Sequence, residues 1–245
     1  MKQKVFIIFM LISLISLLLI ACGQNGEIPV YDAETQQKQE EIAGIKDEIP
    51  STVMSVLSTH YNTGWDEDGK GYNLKGSGQL FNKVVYATVN GKSLLYDGTT
   101  LGDDAASSKA ARREIYLFLD YDDELIKSLA DALNKELKGS DSLGILESVF
   151  KKIRRCATAY YIDVYDVLQN NLNKLKTLSL EDIVLLRTRL LAFKEAKMKL
   201  KNDVTPDKAG ETLGSALVKL KKIHSGCDNI LSLSSEIRSI LIGIE

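Results

Sequence analysis

The first hydrophobic pattern in the chain is an unbroken apolar run near its start. Residues 5–21 are apolar except for Ser13 and Ser16, and they follow a short basic segment that carries Lys2 and Lys4. A basic segment followed by an apolar one is typical of an export signal. The 17 residues of the run, rising about 1.5 Å each, would span roughly 26 Å, the short limit for a membrane-spanning helix. The pattern by itself leaves a cleaved signal and a retained anchor open.

Helical periodicity dominates the second half of the chain. From Ser107 onward, apolar residues recur at spacings of three and four, which predicts amphipathic helices. The first helix extends to Gly139 with a polar interruption at 120–123, and the second covers about 142–176. The predicted apolar face of the second helix consists of Ile153, Ala157, Tyr160, Val164, Leu168, Leu172 and Leu175.

Two capping signals predict the last two helices. Ser179-Leu-Glu-Asp182 is a variant of the capping box and opens a helix that extends to about Lys201. Thr205 is a candidate N-cap, and Pro206 suits the first position of the final helix. Because the linkers are only three to four residues long, consecutive helices are expected to be antiparallel neighbours.

The segment that follows the apolar run predicts a tether and a large helical domain. Residues 22–40 are polar and rich in Gln, Glu and Asp, so we expect a flexible tether that runs into a helix over 33–48. Residues 41–245 are assigned to the helical domain. A Gly-rich segment at about 61–104 belongs to this domain.

A proline punctuates the start of the helical domain. The residue before a proline disfavours helical backbone, so Pro50 ends the helix predicted over 33–48. Residues 51–59 then restart a helix, with Ser51 or Thr52 as the expected N-cap.

The Gly-rich segment contains a turn signal between two short apolar runs. Asn90-Gly91 favours a type I′ turn, because both central residues of that turn need positive φ. We predict a hairpin with strands at about 83–89 and 92–96. An isolated hairpin is only marginally stable, so this one should lie on the helices. The predicted fold class is mainly α, an antiparallel helical bundle with a small β-hairpin insertion.

Composition narrows the possible partners. The formal net charge is −2, and removal of residues 1–21 with Lys2 and Lys4 makes it −4. A mildly acidic chain lacks the basic excess that would indicate nucleic-acid binding. Apart from Cys22, the only cysteines are Cys156 and Cys227, too few for a disulfide-built scaffold.

The residues that end the apolar run favour a lipoprotein. Leu19-Ile20-Ala21-Cys22 resembles the lipobox of bacterial lipoprotein signal peptides. The resemblance implies a lipid on the Cys22 thiol, cleavage before Cys22 and acylation, such as palmitate, on the new amino group. Several buried acyl chains make such an anchor stable. An uncleaved anchor or ordinary secretion is the alternative.

A narrower resemblance involves the helical part. The stretches ATAYYIDVYDVLQNNLNKLK (157–176) and LSLEDIVLLRTRLLAFKEAKMKLK (178–201), together with the lipobox and the polar tether, resemble the outer-surface lipoproteins of Borrelia-type spirochaetes. The resemblance implies a helical bundle anchored at the outer membrane on the cell surface. It also implies possible ligands among host matrix or complement proteins. It transfers no binding residue.

One stretch partly matches a calcium-binding loop. In DEDGKGYNLKGS, Asp66 and Asp68 fit the first and third positions of an EF-hand. Lys70 falls at the fifth position, and Ser77 replaces the bidentate Glu needed at the twelfth. A cation there would lose its main ligand and face an ammonium group. We therefore interpret the stretch as a solvated Gly-rich turn and predict no metal or cofactor.

The remaining motifs indicate no catalytic centre. NGKS at 90–93 lacks the first P-loop glycine, because Tyr86 occupies that position within a predicted strand. His60 and His224 have no metal-ligating residues at suitable spacing, and we expect a structural role for His224. No nucleophile and base are arranged for covalent catalysis.

A basic cluster is the one candidate binding site in the sequence. It consists of Lys151, Lys152, Arg154 and Arg155 around Ile153. Such a cluster can bind the sulfate or carboxylate groups of a glycosaminoglycan or an acidic patch on a host protein. The alternative is a solvated helix face. We expect the four charges to form a band on the outward side of the bundle.

The two remaining cysteines are predicted to be buried and unbridged. Straight antiparallel helices place Cys156 roughly 20 Å and Cys227 close to 50 Å along the bundle axis. A disulfide needs Cα atoms within about 7 Å. Both thiols should therefore be packed as small apolar groups.

Two functions remain open at this point. The first is a lipid-anchored, non-enzymatic surface protein whose bundle binds a host ligand. The second is a periplasm-facing lipoprotein that serves as a structural or assembly partner in the envelope.

Overall fold

Helices account for most of the chain that the structure describes. This computed structural model describes four stretches, residues 32–100, 105–136, 142–204 and 213–244. The chain divides into two compact units, Met1–Gln36 and Gln37–Glu245. Cys22 and the lipobox lie outside the described residues. Within the four described stretches, no helix is both long and apolar enough to cross a membrane.

The first two helices lie on either side of Pro50. Helix α1 is Ala33–Glu48, which confirms the helix predicted over 33–48, and α2 is Ser51–Tyr61. The N-cap of α2 is Pro50, with φ −57° and ψ 132° and without a side-chain cap hydrogen bond. The prediction of Ser51 or Thr52 as N-cap is therefore wrong. The fixed φ of proline lets the next residue begin the helix directly.

The predicted hairpin is confirmed. Strands β1 (Val85–Val89) and β2 (Lys92–Leu95) pair in an antiparallel two-stranded sheet. Asn90 has φ 51° and Gly91 has φ 74°, the two positive values that a type I′ turn requires. Tyr86 is the extra residue of a β-bulge, because Val85 pairs with Leu95 and the next paired residue is Ala87.

Aromatic contacts dock the hairpin on the helices, as predicted. The ring centroid of Tyr96, directly after β2, lies 5.6 Å from Tyr86 and 5.8 Å from Phe150. Phe81 lies 6.3 Å from Phe150 and 5.3 Å from Tyr96. Tyr96, Phe81 and Phe150 are all buried, so the hairpin contributes to the common core.

The polar interruption at 120–123 separates two helices. Helix α3 is Ala105–Phe118 and α4 is Asp123–Glu136. Asp120 and Tyr121 have φ values of 57° and 54°, a left-handed backbone that no α-helix continues through. The prediction of one interrupted helix is wrong in this respect. Gly139, its predicted end, lies outside the described residues.

The helix predicted over 142–176 is also divided. Helix α5 is Ser142–Ala157, a π-helix follows over Thr158–Asp166, and α6 is the single turn Val167–Asn170. A 3₁₀ segment, Leu172–Thr177, completes the stretch after Asn171 leaves helical backbone at φ −117°. The prediction of one continuous α-helix is therefore wrong.

The π-helix contributes three tyrosines to the core. Tyr160, Tyr161 and Tyr165 are all buried. Tyr160 stacks on Phe193 with ring centroids 4.7 Å apart, and its centroid lies 4.9 Å from that of Tyr161. Such π segments occur frequently at functional sites.

The last two helices are long. Helix α7 is Leu180–Val204 and α8 is Leu213–Leu241. The predicted cap of α7 is confirmed, because the backbone N–H of Asp182 donates to Ser179 Oγ at 3.1 Å. The N-cap and proline predicted at 205–206 lie outside the described residues.

Helices α7 and α8 pack against each other in opposite directions. Arg189 pairs with Glu236 at 2.8 Å, and Leu200 lies against Gly226 further along α7. A Cβ at Gly226 would approach Leu200 Cδ1 to 2.6 Å, so glycine permits this close contact. The predicted antiparallel arrangement is confirmed for this pair.

Helix α8 runs parallel to α5 and its π extension. Lys152 Nζ lies 2.6 Å from Asp228 Oδ2, and the Ser234 hydroxyl donates to the carbonyl of Ala159 at 3.4 Å. The contacts advance along both helices in the same direction. Helices α5, α7 and α8 therefore alternate in direction, as the bundle prediction requires.

A buried ion pair fastens the Gly-rich segment to α3. The Arg112 Nε donates to both carboxylate oxygens of Glu67 at 2.8 and 3.0 Å, and the Tyr116 hydroxyl donates to Glu67 at 2.7 Å. Arg112 also donates to the carbonyl of Tyr96, beside the hairpin, at 2.5 Å. Glu67 and Arg112 are 6% and 4% exposed. Burial, then the charge of Glu67, raises the pKa of Tyr116.

Candidate binding face on helix α7

Helix α7 exposes large apolar side chains on its outer side. Val184, Leu191 and Met198 follow one another at intervals of seven residues, and Leu185 lies beside the first. They are 39%, 38%, 52% and 41% exposed, respectively. We call these four residues the α7 ridge.

The inner side of α7 faces the core. Its buried apolar residues are Ile183, Leu186, Leu190, Phe193 and Leu200. At about 100° per residue, this set and the ridge point to nearly opposite sides of the helix. Burial in the core therefore does not account for the ridge.

Ion pairs border the ridge on both sides. Arg187 of α7 pairs with Glu41 of α1 at 3.0 Å, and Lys194 pairs with Glu48 of α1 at 3.4 Å. On the other side, Arg189 pairs with Glu236 of α8. The ridge therefore lies between two neighbouring helices and has a charged border.

A cleft of about 450 Å³ opens beside Met198. Its walls come from α2, the turn before α4, the π-helix and α7. They comprise Pro50, Thr52, Ser55, Val56, Asp120, Asp122, Tyr160, Tyr161, Lys194, Lys197, Met198 and Lys201.

Asp120 is the central acceptor of this cleft. Lys197 Nζ and Lys201 Nζ each lie 2.8 Å from a different oxygen of its carboxylate, and the Tyr161 hydroxyl donates to it as well. Burial acts to raise the pKa of Asp120, but the charge and hydrogen bond of Lys197, with the bonds from Lys201 and Tyr161, outweigh it. The pKa is held below its ordinary value of 3.8, so Asp120 is ionised near neutral pH.

Lys197 is enclosed by polar and aromatic partners. Its ammonium group donates to the carbonyl of Phe118 at 2.8 Å. It also lies 5.2 Å from the Phe118 ring centroid and 5.6 Å from that of Tyr161. A cation over aromatic faces is attracted by their quadrupoles. Lys197 therefore shapes the cleft, while the exposed part of Lys201 faces its opening.

Sequence reasoning missed both the ridge and the cleft. A signal for the ridge exists, because α7 has apolar residues at more positions than one face can contain, and three of them are spaced by seven. The cleft has no comparable signal. It depends on the left-handed backbone at Asp120 and on the π-helix that orients Tyr160 and Tyr161.

The four residues of the predicted basic cluster do not share one exposed surface in the structure. Lys151 and Arg155, four residues apart, are exposed on the outer side of α5. Lys152 and Arg154 flank the buried Ile153, and their side chains are only 16% and 21% exposed. The prediction of a band of four outward charges is therefore wrong for Lys152 and Arg154. Residues about 100° from a core position lie at the helix border, where they meet neighbouring elements.

Both border residues have internal partners. Lys152 pairs with Asp228 and contacts the Nδ1 of His224 at 3.2 Å. Arg154 pairs with Glu114 of α3, and its guanidinium lies 5.8 Å from the ring centroid of Tyr96. These two charges therefore connect α5 to α8 and to α3. The exposed charges of the cluster are those of Lys151 and Arg155.

In residues 66–77, the stretch that partly matches a calcium-binding loop, lysine side chains form ion pairs with carboxylates. Asp68 accepts from Lys75 at 2.6 Å, while Lys70 pairs with Asp123 at 2.9 Å. Asp66 accepts the backbone N–H of Asp68 at 3.1 Å. Among the described residues, no group of three or more His, Cys, Asp or Glu could hold a metal ion.

The two histidines have protein partners. His60 Nδ1 lies 2.9 Å from the Tyr121 hydroxyl, and His224 contacts Lys152. Burial, then the charge of Arg113, lowers the pKa of His60. The contact with Lys152 agrees with the structural role expected for His224.

The two cysteines lie much closer together than the helix geometry predicted. Cys156 and Cys227 are fully buried, as predicted, and their side chains hydrogen-bond to each other. The distance prediction assumed that the last helix starts level with Lys201. Because Leu200 packs on Gly226 instead, that register is shifted by about 20 residues, or roughly 30 Å of helix.

Two solved structures resemble this fold. The Borrelia burgdorferi outer surface lipoprotein BBA64 is 13% identical, with 85% of this chain and 95% of that chain covered and a TM-score of 0.55. The Lyme disease associated outer surface protein BBA65 from Borrelia burgdorferi is 16% identical, with 83% and 99% covered and a TM-score of 0.55. At these identities the likeness shows the fold alone.

The family is shown by sequence. A comparison with curated proteins gives no significant match. The sequence profile of the family described as Borrelia Bbcrasp-1 domain containing protein matches residues 76–242, more than half of the chain. The predicted resemblance to Borrelia outer-surface lipoproteins is confirmed, and the structural relatives agree with the predicted location at the outer membrane, on the cell surface. The chain therefore belongs to the Borrelia Bbcrasp-1 domain family.

Proposed function

We propose that this protein is a lipid-anchored, non-enzymatic receptor on the cell surface that binds a host protein through the α7 ridge and the adjoining cleft. Family membership supports the surface location. The observation that carries the binding role is the exposure of four large apolar side chains on one side of α7. Exposed apolar patches with a polar border are typical of protein interaction sites.

The anatomy of the face fits the centre of a protein interface. Apolar residues at the centre and charged residues at the rim are the usual arrangement, and here Arg187, Arg189 and Lys194 lie around the ridge. The four exposed side chains offer on the order of a few hundred Å², less than the roughly 800 Å² per partner of a standard interface. The partner must therefore also contact the polar rim and the cleft.

The internal ion pairs of the basic cluster favour a protein ligand over a glycosaminoglycan. Lys152 and Arg154 are held by Asp228 and Glu114, which leaves Lys151 and Arg155 as the exposed charges of the cluster. Isolated exposed ion pairs contribute little binding energy. A host matrix or complement protein with an apolar contact surface is therefore the proposed ligand class.

The binding experiment compares the soluble chain of residues 23–245 with two charge variants in a panel of purified serum and matrix proteins. Leu191→Glu places a charge at the centre of the ridge, and Val89→Glu places one on the exposed hairpin tip as the matched control. We expect Leu191→Glu to weaken binding at least tenfold and Val89→Glu to bind like the parent. Equal binding by both variants, or no binding by the parent, would overturn the proposal. A concentration-dependent dimer that Leu191→Glu abolishes would assign the ridge to a second copy instead.

The anchor is proposed at Cys22. The lipobox Leu19-Ile20-Ala21-Cys22 supports it, since only the thiol of cysteine accepts the thioether-linked lipid. Cys22→Ser should leave an uncleaved precursor that incorporates no labelled palmitate, and protease added to intact cells should remove the parent protein. Normal processing of the variant would refute the anchor, and protection of the parent protein would contradict surface exposure.

A further inference from the structure

Cys156 and Cys227 meet at the contact between α5 and α8. Both side chains are 0% exposed. Lys152, one turn before Cys156, pairs with Asp228, the residue after Cys227, at 2.6 Å. Further along both helices, the Ser234 hydroxyl donates to the carbonyl of Ala159. The ion pair next to the cysteines and this hydrogen bond beyond them hold α5 against α8.

The surroundings of the thiols are unreactive in the native state. The hydrogen bond with Cys227, then burial, raises the pKa of Cys156 well above its usual range. Because the thiolate is the nucleophile in disulfide exchange, a buried thiol with a raised pKa reacts slowly. Oxidation is therefore expected while the α5–α8 contact forms or opens, before burial is complete.

We propose that Cys156 and Cys227 form an intramolecular disulfide that staples α5 to α8 when the folding chain meets a protein or small-molecule disulfide. This goes beyond the proposed binding role and depends on it in no step. An exported location, which the lipobox predicts, provides the oxidising setting in which such bonds persist. The hydrogen bond between the two buried thiols, the adjacent Lys152–Asp228 ion pair and the register that Leu200 and Gly226 set for α8 carry the inference.

The reaction balances as two successive exchanges. One cysteine loses its proton and attacks a sulfur of the oxidant, which forms a mixed disulfide and releases the first oxidant thiol. The second cysteine then attacks the protein sulfur of that mixed disulfide and releases the second oxidant thiol. The two protein thiols are oxidised, and the oxidant disulfide is reduced to two thiols.

A consequence for stability follows from chain topology. The bond would close a loop that includes all of the π-helix and α7. Closing a long loop restricts the unfolded chain and raises stability when the native geometry accepts the bond. We therefore expect the oxidised protein to have a higher Tm than the reduced protein, with a difference that dithiothreitol removes.

The test refolds the chain of residues 23–245 from urea in a mixture of reduced and oxidised glutathione, so that both thiols are accessible. The expected product is a monomer that has lost two hydrogen atoms and yields a Cys156–Cys227 crosslinked peptide. Cys227→Ala should instead take up one glutathione at Cys156 without a rise in Tm. Circular dichroism of Cys227→Ala and of the double Cys156→Ala, Cys227→Ala variant checks that both fold.

Three results would overturn the proposal. They are free thiols in the refolded protein, glutathione adducts on both cysteines of the parent, and a crosslinked form with a Tm lower than that of the reduced form. Because this experiment contains no host ligand, its failure leaves the binding proposal unaffected. The Leu191→Glu comparison likewise leaves the thiol pair unaffected.

Discussion

The interior beside α3 contains buried charged residues, whereas the outer face of α7 contains exposed apolar residues. Both are the reverse of where such residues usually lie. Beside α3, the buried charges of Glu67 and Arg112 hydrogen-bond to each other. Tyr116 also donates to Glu67, and Arg112 also donates to the carbonyl of Tyr96. On α7, Leu191 and Met198 are large apolar side chains exposed to solvent.

This contrast indicates which of the two regions the fold requires. The buried charges are satisfied by partners from the Gly-rich segment and the hairpin, so the fold depends on them. The ridge has no such role, since the core side of α7 is supplied by other residues. Mutations should therefore separate the two regions, with loss of stability in the first and loss of binding in the second.

The largest effect is expected from Arg112→Ala. The change removes the buried cation of the Glu67 carboxylate and leaves only the partly exposed Lys75, 3.5 Å away, and breaking a buried pair costs about 3–5 kcal/mol of unfolding free energy. Urea denaturation against the parent measures it, with the exposed Arg155→Ala as the matched control. A loss below about 1 kcal/mol, the range of an exposed pair, would show that Glu67 finds other partners.

A smaller loss is expected from Asp120→Asn. It removes the charge that Lys197 and Lys201 share but keeps an oxygen acceptor, so we expect a total loss of about 1.5–3 kcal/mol, the contribution of one hydrogen bond to a charged group. Denaturation at neutral pH measures the loss. The matched control is Asp122→Asn, because Asp122 lies 4.0 Å from Lys201 and is more exposed than Asp120. An equal loss in the two variants would contradict the central role of Asp120.

The same carboxylate gives a pH dependence. The pKa of Asp120 is lower in the folded chain than its ordinary value of 3.8, so its stabilising effect is present above that value. It is lost as the pH falls through the folded pKa. Below pH 4, the free energy of unfolding should therefore change less with pH in Asp120→Asn than in the parent. Identical slopes would contradict the assignment.

The basic cluster should divide into two pairs. Changing the half-buried Lys152 and Arg154 to Gln removes ties to Asp228 and Glu114, and we expect a loss of about 1 kcal/mol. Changing the exposed Lys151 and Arg155 to Gln should leave stability unchanged. On heparin, only the second variant should elute earlier than the parent, if the parent is retained at low salt. Earlier elution of the Lys152 and Arg154 variant as well would support a band of four exposed charges.

The smallest change in stability is expected on the ridge. Leu191→Glu replaces an exposed side chain, and such substitutions usually alter the free energy of unfolding by less than about 0.5 kcal/mol. Thermal unfolding beside Leu190→Glu, its buried neighbour, measures the contrast. Equal destabilisation by the two variants would show that the ridge belongs to the core.

Local chemistry explains what could be predicted. Asn90-Gly91 gives the hairpin turn because its two residues tolerate positive φ, and Ser179 caps α7 because its hydroxyl accepts the N–H of Asp182. Residues within four positions decide these features, so the sequence contains the whole signal. Spacing of apolar residues similarly identifies the helical bundle.

Long-range packing explains what could not. The burial of both Tyr160 and Tyr161 beside Phe193 accompanies a π-helix that periodicity does not reveal. The contact between Cys156 and Cys227 depends on the register of α7 and α8, which Leu200 and Gly226 fix across 25 intervening residues. A small error in where a long helix begins moves a distant residue by many ångströms.

Neighbouring residues and repeated patterns were enough to predict the helical class, the hairpin and the family, all of which are confirmed. Which charges are exposed and which apolar residues stay uncovered became clear only from the packed helices. Lys152 and Lys151 are adjacent in sequence, yet one is held by Asp228 and the other faces solvent. Exposure depends on what the neighbouring helices cover, and that is set by contacts between residues far apart in the chain.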